Sequence, residues 1–193
     1  MKNKKAIWVT QTAMLIALIV LSQLLSRVIP PITVGPFKLN QIVTGSLVNM
    51  VLITGAYISG FSSAGTAALV SPILAAVVGI IPGNLPQMIP VVMVGNLVIA
   101  FITWLCFRAS NGLGKGSAAI LSFVGVAAGA ALKMLAMWAS VEKIVVPVLH
   151  IAPKLEKVLV GTVSISQLVT GIAGGILALL IMPALGSFKK GRR

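Results

Sequence analysis

Apolar and polar positions alternate along the chain in long blocks. Six apolar stretches, roughly 7–29, 41–59, 62–81, 88–107, 116–139 and 161–184, are separated by short breaks rich in proline, glycine or charge. A membrane-crossing helix needs about 20 predominantly apolar residues, so the pattern predicts an all-α, six-transmembrane-helix bundle forming one domain over residues 1–193. Pro30-Pro31 and Gly35-Pro36 close the first span, Gly60 to Ser63 gives a tight turn, and Pro82 to Pro86 separates spans three and four. Between Leu39 and Phe107 lie 69 consecutive residues without Asp, Glu, Lys, Arg or His. The stretch Ser140 to Val160 holds both acidic residues, Glu142 and Glu156, and reads as the longest polar connection, with room for a short surface helix.

Composition sharpens this picture. Only 9% of residues are charged, against about 25% in a soluble domain, and the mean hydropathy is +1.10. The net charge of +13 raises nucleic acid as a partner, but the basic residues cluster at span ends and tails, which is the pattern of membrane topology. With the N-terminus inside, nine Lys and Arg fall on the cytoplasmic side and five outside, which predicts both termini cytoplasmic. Trp8 and Trp104 then sit at the inner interface and Trp138 at the outer. The first apolar run exceeds the length of a signal-peptide core and lacks a small-x-small cleavage site, so it reads as a retained span. The single cysteine, Cys106, excludes a disulfide within the chain and reads as a small buried hydrophobe.

Polar residues within the spans concentrate toward the outer half: Gln23, Ser26, Gln41, Thr44, Ser46, Asn49, Asn84, Gln87, Asn96, Lys133, Ser164, Ser166, Gln167 and Thr170. Buried amides need partners or water. A cluster at one depth predicts either a cavity open to the outside or interhelical hydrogen bonding that holds the bundle together. Gln41, Gly45 and Asn49 share a helix face within about 80°. The candidate substrate-binding residues are Gln41, Thr44, Asn49, Gln87, Asn96, Lys133, Gln167 and Thr170. Lys133, an ionisable residue inside a span, reads either as a point charge for a carboxylate or phosphate or as a side chain snorkelling to the interface. Pro72 and Pro90 are placed to kink spans three and four, and Gly171, Gly174 and Gly175 form a small face for packing.

Several chemistries are disfavoured. No Ser-His-Asp set, metal-ligand cluster or intramembrane carboxylate is apparent, so no enzyme activity, cofactor or metal is expected. The run Gly112 to Ser117 fails the phosphate-loop pattern, because Gly116 follows the Gly-Lys pair and Ala109 stands at the first glycine position. If ATP is used, a partner must hydrolyse it.

In the first span, Ala6, Thr10, Ala13 and Ala17 fall within roughly 60° of one another. This strip of small residues either packs against a neighbouring helix of the same chain or docks a separate protein. Six spans, both ends inside, Ala13-Met-Leu-Ile-Ala17 in the cytoplasmic half of the first helix and an outward polar cluster together resemble the substrate-binding S components of energy-coupling factor (ECF) transporters. The stretch Gln41 to Asn49 is also similar to uncharacterised bacterial members. The resemblance implies a vitamin or similar micronutrient as ligand, captured from outside and covered by the loops 29–40, 82–87 and 140–160. It implies docking of Ala13 and Ala17 on a transmembrane coupling subunit that works with two ABC ATPases, in a bacterial cell membrane, and toppling of the whole subunit to release its load. Nickel and cobalt members depend on an N-terminal histidine, whereas this chain has Lys2 and Asn3 there. The alternatives are a stand-alone secondary transporter and a non-transport membrane assembly subunit.

Overall fold

The computed structural model describes residues 3–30, 32–34, 37–81, 83 and 85–190. Pro31, Gly35, Pro36, Pro82, Asn84 and the terminal basic residues Lys2, Arg192 and Arg193 lie outside the described residues. Eight α-helices account for nearly all of the structure described: α1 (Lys4–Val28), α2 (Leu39–Ser59), α3 (Phe61–Val77), α4 (Met88–Ala109), α5 (Lys115–Ser140), α6 (Val146–Leu149), α7 (Pro153–Val163) and α8 (Ile165–Lys190). A two-residue ribbon, β1 (Thr33–Val34) antiparallel to β2 (Phe37–Lys38), joins α1 to α2.

Among the described residues, five stretches are long and apolar enough to cross a membrane: α1, α2, α4, the continuous helical run Lys115–Leu149, and Leu155–Leu185. The sixth apolar helix, α3, is shorter at 17 residues. At 1.5 Å rise per residue it spans about 25 Å, short of a hydrocarbon core of about 30 Å. The apolar pattern continues to Ile81, but the helix stops at Val77 because Gly79 takes a left-handed conformation at φ 79°. Large apolar side chains face outward all round the bundle, among them Leu21, Ile120 and Leu180 at 62%, 68% and 71% exposure. Such a surface is a liability in water and suits lipid, and the architecture is compatible with a multi-pass membrane protein.

The helix starts and stops follow local chemistry. Asn3 caps α1, its side-chain oxygen accepting from the amides of Lys5 (3.2 Å) and Ala6 (3.4 Å). Gly60 alone separates α2 from α3, with φ 83° and ψ 175°, a region essentially closed to other residues. Gly60→Ala is therefore expected to cost about 1 kcal/mol or more, read as a lower Tm in detergent. Pro90 lies in the first turn of α4, where no intrahelical donor is missed, so it does not have to bend the helix. Pro72 does lie inside α3.

The connection from Ser140 to Val160 is helical except at residues 150–152, so it holds more helix than the short surface helix expected within it. The α5 ladder runs on through a π-helical turn, Val141–Val145, into α6 and ends at His150, in left-handed geometry. Pro153 then opens α7, and a break at Ser164 separates it from α8. Leu159 and Val163 of α7 are buried with Val141, Val145, Met137, Val91, Met88, Ile81 and Ala75. This packing lies at the end of the bundle opposite Lys4 and Lys190.

Helix α2 is the hub, packing on α1, α3, α4 and α8, while α5 lies between α4 and α8. Glycines on α8 permit the close approach. A Cβ at Gly171 would come within 2.8 Å of Ala130 Cβ on α5. One at Gly174 would strike the backbone of Ser46 and Asn49 Cβ on α2, and one at Gly175 would strike Val126 on α5. Cys106 is half-buried and sits against Gly125 where α4 meets α5.

Candidate functional site

The end of α1, the start of α2, the end of α3, the start of α4, the end of α5 and the start of α8 all meet at one end of the bundle. Between them lies a cavity of about 520 Å³, to which all six helices and α7 contribute walls. Its sides are mostly aliphatic, with Ile42, Val48, Pro72, Ile81, Met88, Val92 and Leu159 among them. Lys38, Gln41 and Lys157 line it as exposed rim residues.

A polar network from four helices forms the floor. Lys133, on α5 and 3% exposed, donates from Nζ to Asn49 Oδ1 of α2 at 2.7 Å and to Asn96 Oδ1 of α4 at 2.9 Å. Asn49 Nδ2 reaches Thr170 Oγ1 of α8 at 3.5 Å, and that hydroxyl donates to the Gln167 carbonyl at 3.2 Å. The lysine therefore points into the bundle and does not snorkel. Each partner is buried: Asn49 at 0%, Asn96 at 2% and Thr170 at 4% exposure. The neutral amide oxygens orient the lysine head but bring no opposite charge.

A second polar centre joins α1 to α3. Gln23 Nε2 donates to the Ser71 carbonyl at 3.0 Å and lies 3.4 Å from its hydroxyl. Gln23 Oε1 is buried with no partner among the described residues, and so is the Thr44 hydroxyl. Both residues line the cavity.

Of the eight candidate ligand residues, Gln41, Thr44, Asn96, Lys133, Gln167 and Thr170 line this cavity. Asn49 is not on the lining and stands behind it, holding Lys133. Gln87 sits in the turn before α4, half-buried and off the lining. Gln167 is half-buried, its Nε2 donating to the Thr162 carbonyl at 3.3 Å. The ligand candidates omit Gln23, Ser71, Lys38 and Lys157 from this wall. Gln23 and Ser71 are polar interruptions of apolar helices, a signal the sequence carries; Lys38 and Lys157 read there only as topology charges.

A second, smaller cavity of about 250 Å³ opens at the end bearing both termini, lined by Tyr57, Gly60, Trp104, Phe107 and Arg108 among others, and apolar cores lie between the two. Leu15, Ile19, Val51, Leu52, Ala67 and Ala68 pack together, as do Ile53, Ile99, Phe107, Val126, Ala178 and Met182. At the end bearing both termini, Phe61, Phe101 and Trp104 form an aromatic cluster with Arg108 5.4 Å from the Trp104 ring centre. No group of three His, Cys, Asp or Glu is placed to hold a metal among the described residues.

The small-residue strip of α1 is not used within the chain. Ala6, Thr10, Ala13 and Ala17 are all exposed, while Thr12, Leu15, Ile19, Ser22, Gln23 and Ser26 are buried. At about 100° per residue the centres of the two faces lie about 160° apart. Packing against a neighbouring helix of the same chain is thereby excluded for this strip.

Comparison with known protein families, curated proteins and solved structures returns no match.

Proposed function

We propose that this chain is the substrate-binding membrane subunit of an ECF-type, ATP-driven importer, which takes up a vitamin or similar micronutrient across a bacterial cell membrane. It crosses the membrane six times, with both termini cytoplasmic, and is not itself an enzyme. The observation that carries the reading is the larger cavity, of about 520 Å³. It lies at the end away from both termini, with polar groups from several helices around it and packed apolar cores behind its floor. Such a site captures a ligand from one side, and the apolar cores separate it from the smaller cavity at the other end. Export to the far side then requires movement of the whole subunit, which a partner must drive.

The exposed alanines support that partner. Small side chains let a second helix approach closely in lipid, and Ala13 and Ala17 are exposed, on the side of α1 away from its buried face. The proposed assembly contains a transmembrane coupling subunit docked on this strip and two ABC ATPases. The lack of any Asp or Glu within α1 to α5 and α8 weighs against a proton-coupled carrier.

Two measurements test the reading. Native mass spectrometry of protein purified in mild detergent from its host is expected to show a retained vitamin-sized molecule. Ala13→Trp and Ala17→Trp are expected to abolish co-purification of the ATPases and leave Tm and ligand retention unchanged, because both positions are exposed. Normal assembly and transport by both variants would remove the docking assignment. Uptake by the chain alone in vesicles under an ion gradient would establish a secondary transporter instead.

A further inference from the structure

We infer that the ligand is a small carboxylate with an apolar body and at least one N–H or O–H donor. This rests on the reading of the cavity as a substrate site. Lys133, Lys38 and Lys157 line the cavity, and neither of the chain's two acidic residues, Glu142 and Glu156, does. At the floor, Lys133 Nζ holds two neutral amide oxygens and is left with one donor direction as an ammonium. A buried cation whose only partners are neutral gains strongly from an incoming anion. One cation with one donor to spare matches a carboxylate; a phosphate dianion calls for several convergent donors, as at helix N-termini or arginine clusters.

The remaining groups define the rest of the molecule. Gln23 Oε1 can only accept, is buried, and has no partner among the described residues, so it selects a ligand donor. The Thr44 hydroxyl, also unpartnered, accepts or donates. Between these groups the aliphatic walls cover a hydrocarbon or aromatic body, the usual division of labour in small-molecule pockets. Lys38 and Lys157 at the exposed rim give the entrance the sign that draws an anion inward.

The test uses ligand-stripped protein in nanodiscs and matched pairs of hydroxy- or amino-substituted small carboxylic acids and their methyl esters, with Tm as the readout. Acids are expected to raise Tm where their esters do not. Lys133→Met is expected to weaken the best acid roughly 10- to 100-fold, and Lys157→Met much less. Equal stabilisation by esters and acids would overturn the carboxylate assignment while leaving a binding subunit in place. No stabilisation by any pair also overturns it, and native mass spectrometry then separates the two readings, since a retained uncharged molecule preserves the binding subunit and an empty chain removes both. The acid–ester comparison is made on the unaltered chain, so it decides even if Lys133→Met fails to fold.

Discussion

Asn49→Leu is expected to destabilise the bundle by about 3 kcal/mol, and the same change in a Lys133→Met background by much less. Asn49 is fully buried and its Oδ1 accepts from Lys133 Nζ at 2.7 Å. Hydrogen bonds to charged groups contribute about 1.5–3 kcal/mol, and a buried group left without one costs more. Leucine matches asparagine in side-chain heavy-atom count and branching but is bulkier and offers no acceptor, so Lys133 keeps only Asn96 in a site it cannot leave. Once Lys133 is methionine, the acceptor at position 49 has nothing to satisfy. A double-mutant cycle on thermal or denaturant unfolding in detergent is expected to return a coupling of about 1.5–3 kcal/mol. Additivity within about 0.5 kcal/mol would show that the two side chains do not depend on each other.

The second large effect lies on α8. Gly174→Ala places a Cβ against the Ser46 carbonyl and 2.9 Å from the Met50 backbone nitrogen. Both obstacles are backbone, so no rotamer change relieves them, and α2 and α8 must separate. Overpacking of this kind costs about 1–3 kcal/mol, and the rigid obstacle puts Gly174 at the upper end. Gly116→Ala is the matched control. It lies in the first turn of α5 with nothing within 4 Å, and alanine there is expected to be neutral or to stabilise by up to about 1 kcal/mol. Because α2 carries Thr44 and Asn49 and α8 carries Thr170, Gly174→Ala is also expected to weaken ligand retention. A Tm drop no larger than that of Gly116→Ala would overturn this account of the α2–α8 contact.

Much of the architecture is legible in the pattern of apolar runs, because a run of membrane-crossing length has few ways to satisfy its backbone other than as a helix. Five of the six expected spans are helices long enough to cross. The ends are less legible. Val78 to Ile81 continue the apolar run of α3, and only the conformation of Gly79 ends the helix. The charges of Glu142 and Lys143 read as a polar connection, yet the α5 ladder continues through them as a π-helical turn, with Glu142 half-buried and Lys143 exposed.

For the site, type and depth of residue are enough to collect Asn49, Asn96, Lys133 and Thr170, and helix spacing places Gln41, Gly45 and Asn49 on one face, of which Gln41 and Gly45 line the cavity and Asn49 does not. Spacing cannot say which of two amides faces a void and which supports the residue that does. That distinction separates Asn96 from Asn49, and it arises from the approach of α2 to α8 over Gly174. Nor does periodicity within α1 reveal which face the bundle takes. The alanine strip and the Gln23 face are both acceptable contact surfaces, and the partners of Thr12, Leu15 and Ile19 decide between them.

The cavity draws a wall from every long helix, so it exists only when the whole bundle is assembled. A molecule seated there finds no partial version of its site on a fragment or on a half-inserted chain, and it binds the native state alone. At a concentration 100 times Kd, occupancy adds about 2.7 kcal/mol to that state. Under the proposed function, the lifetime of the chain in a membrane is tied to the supply of its ligand.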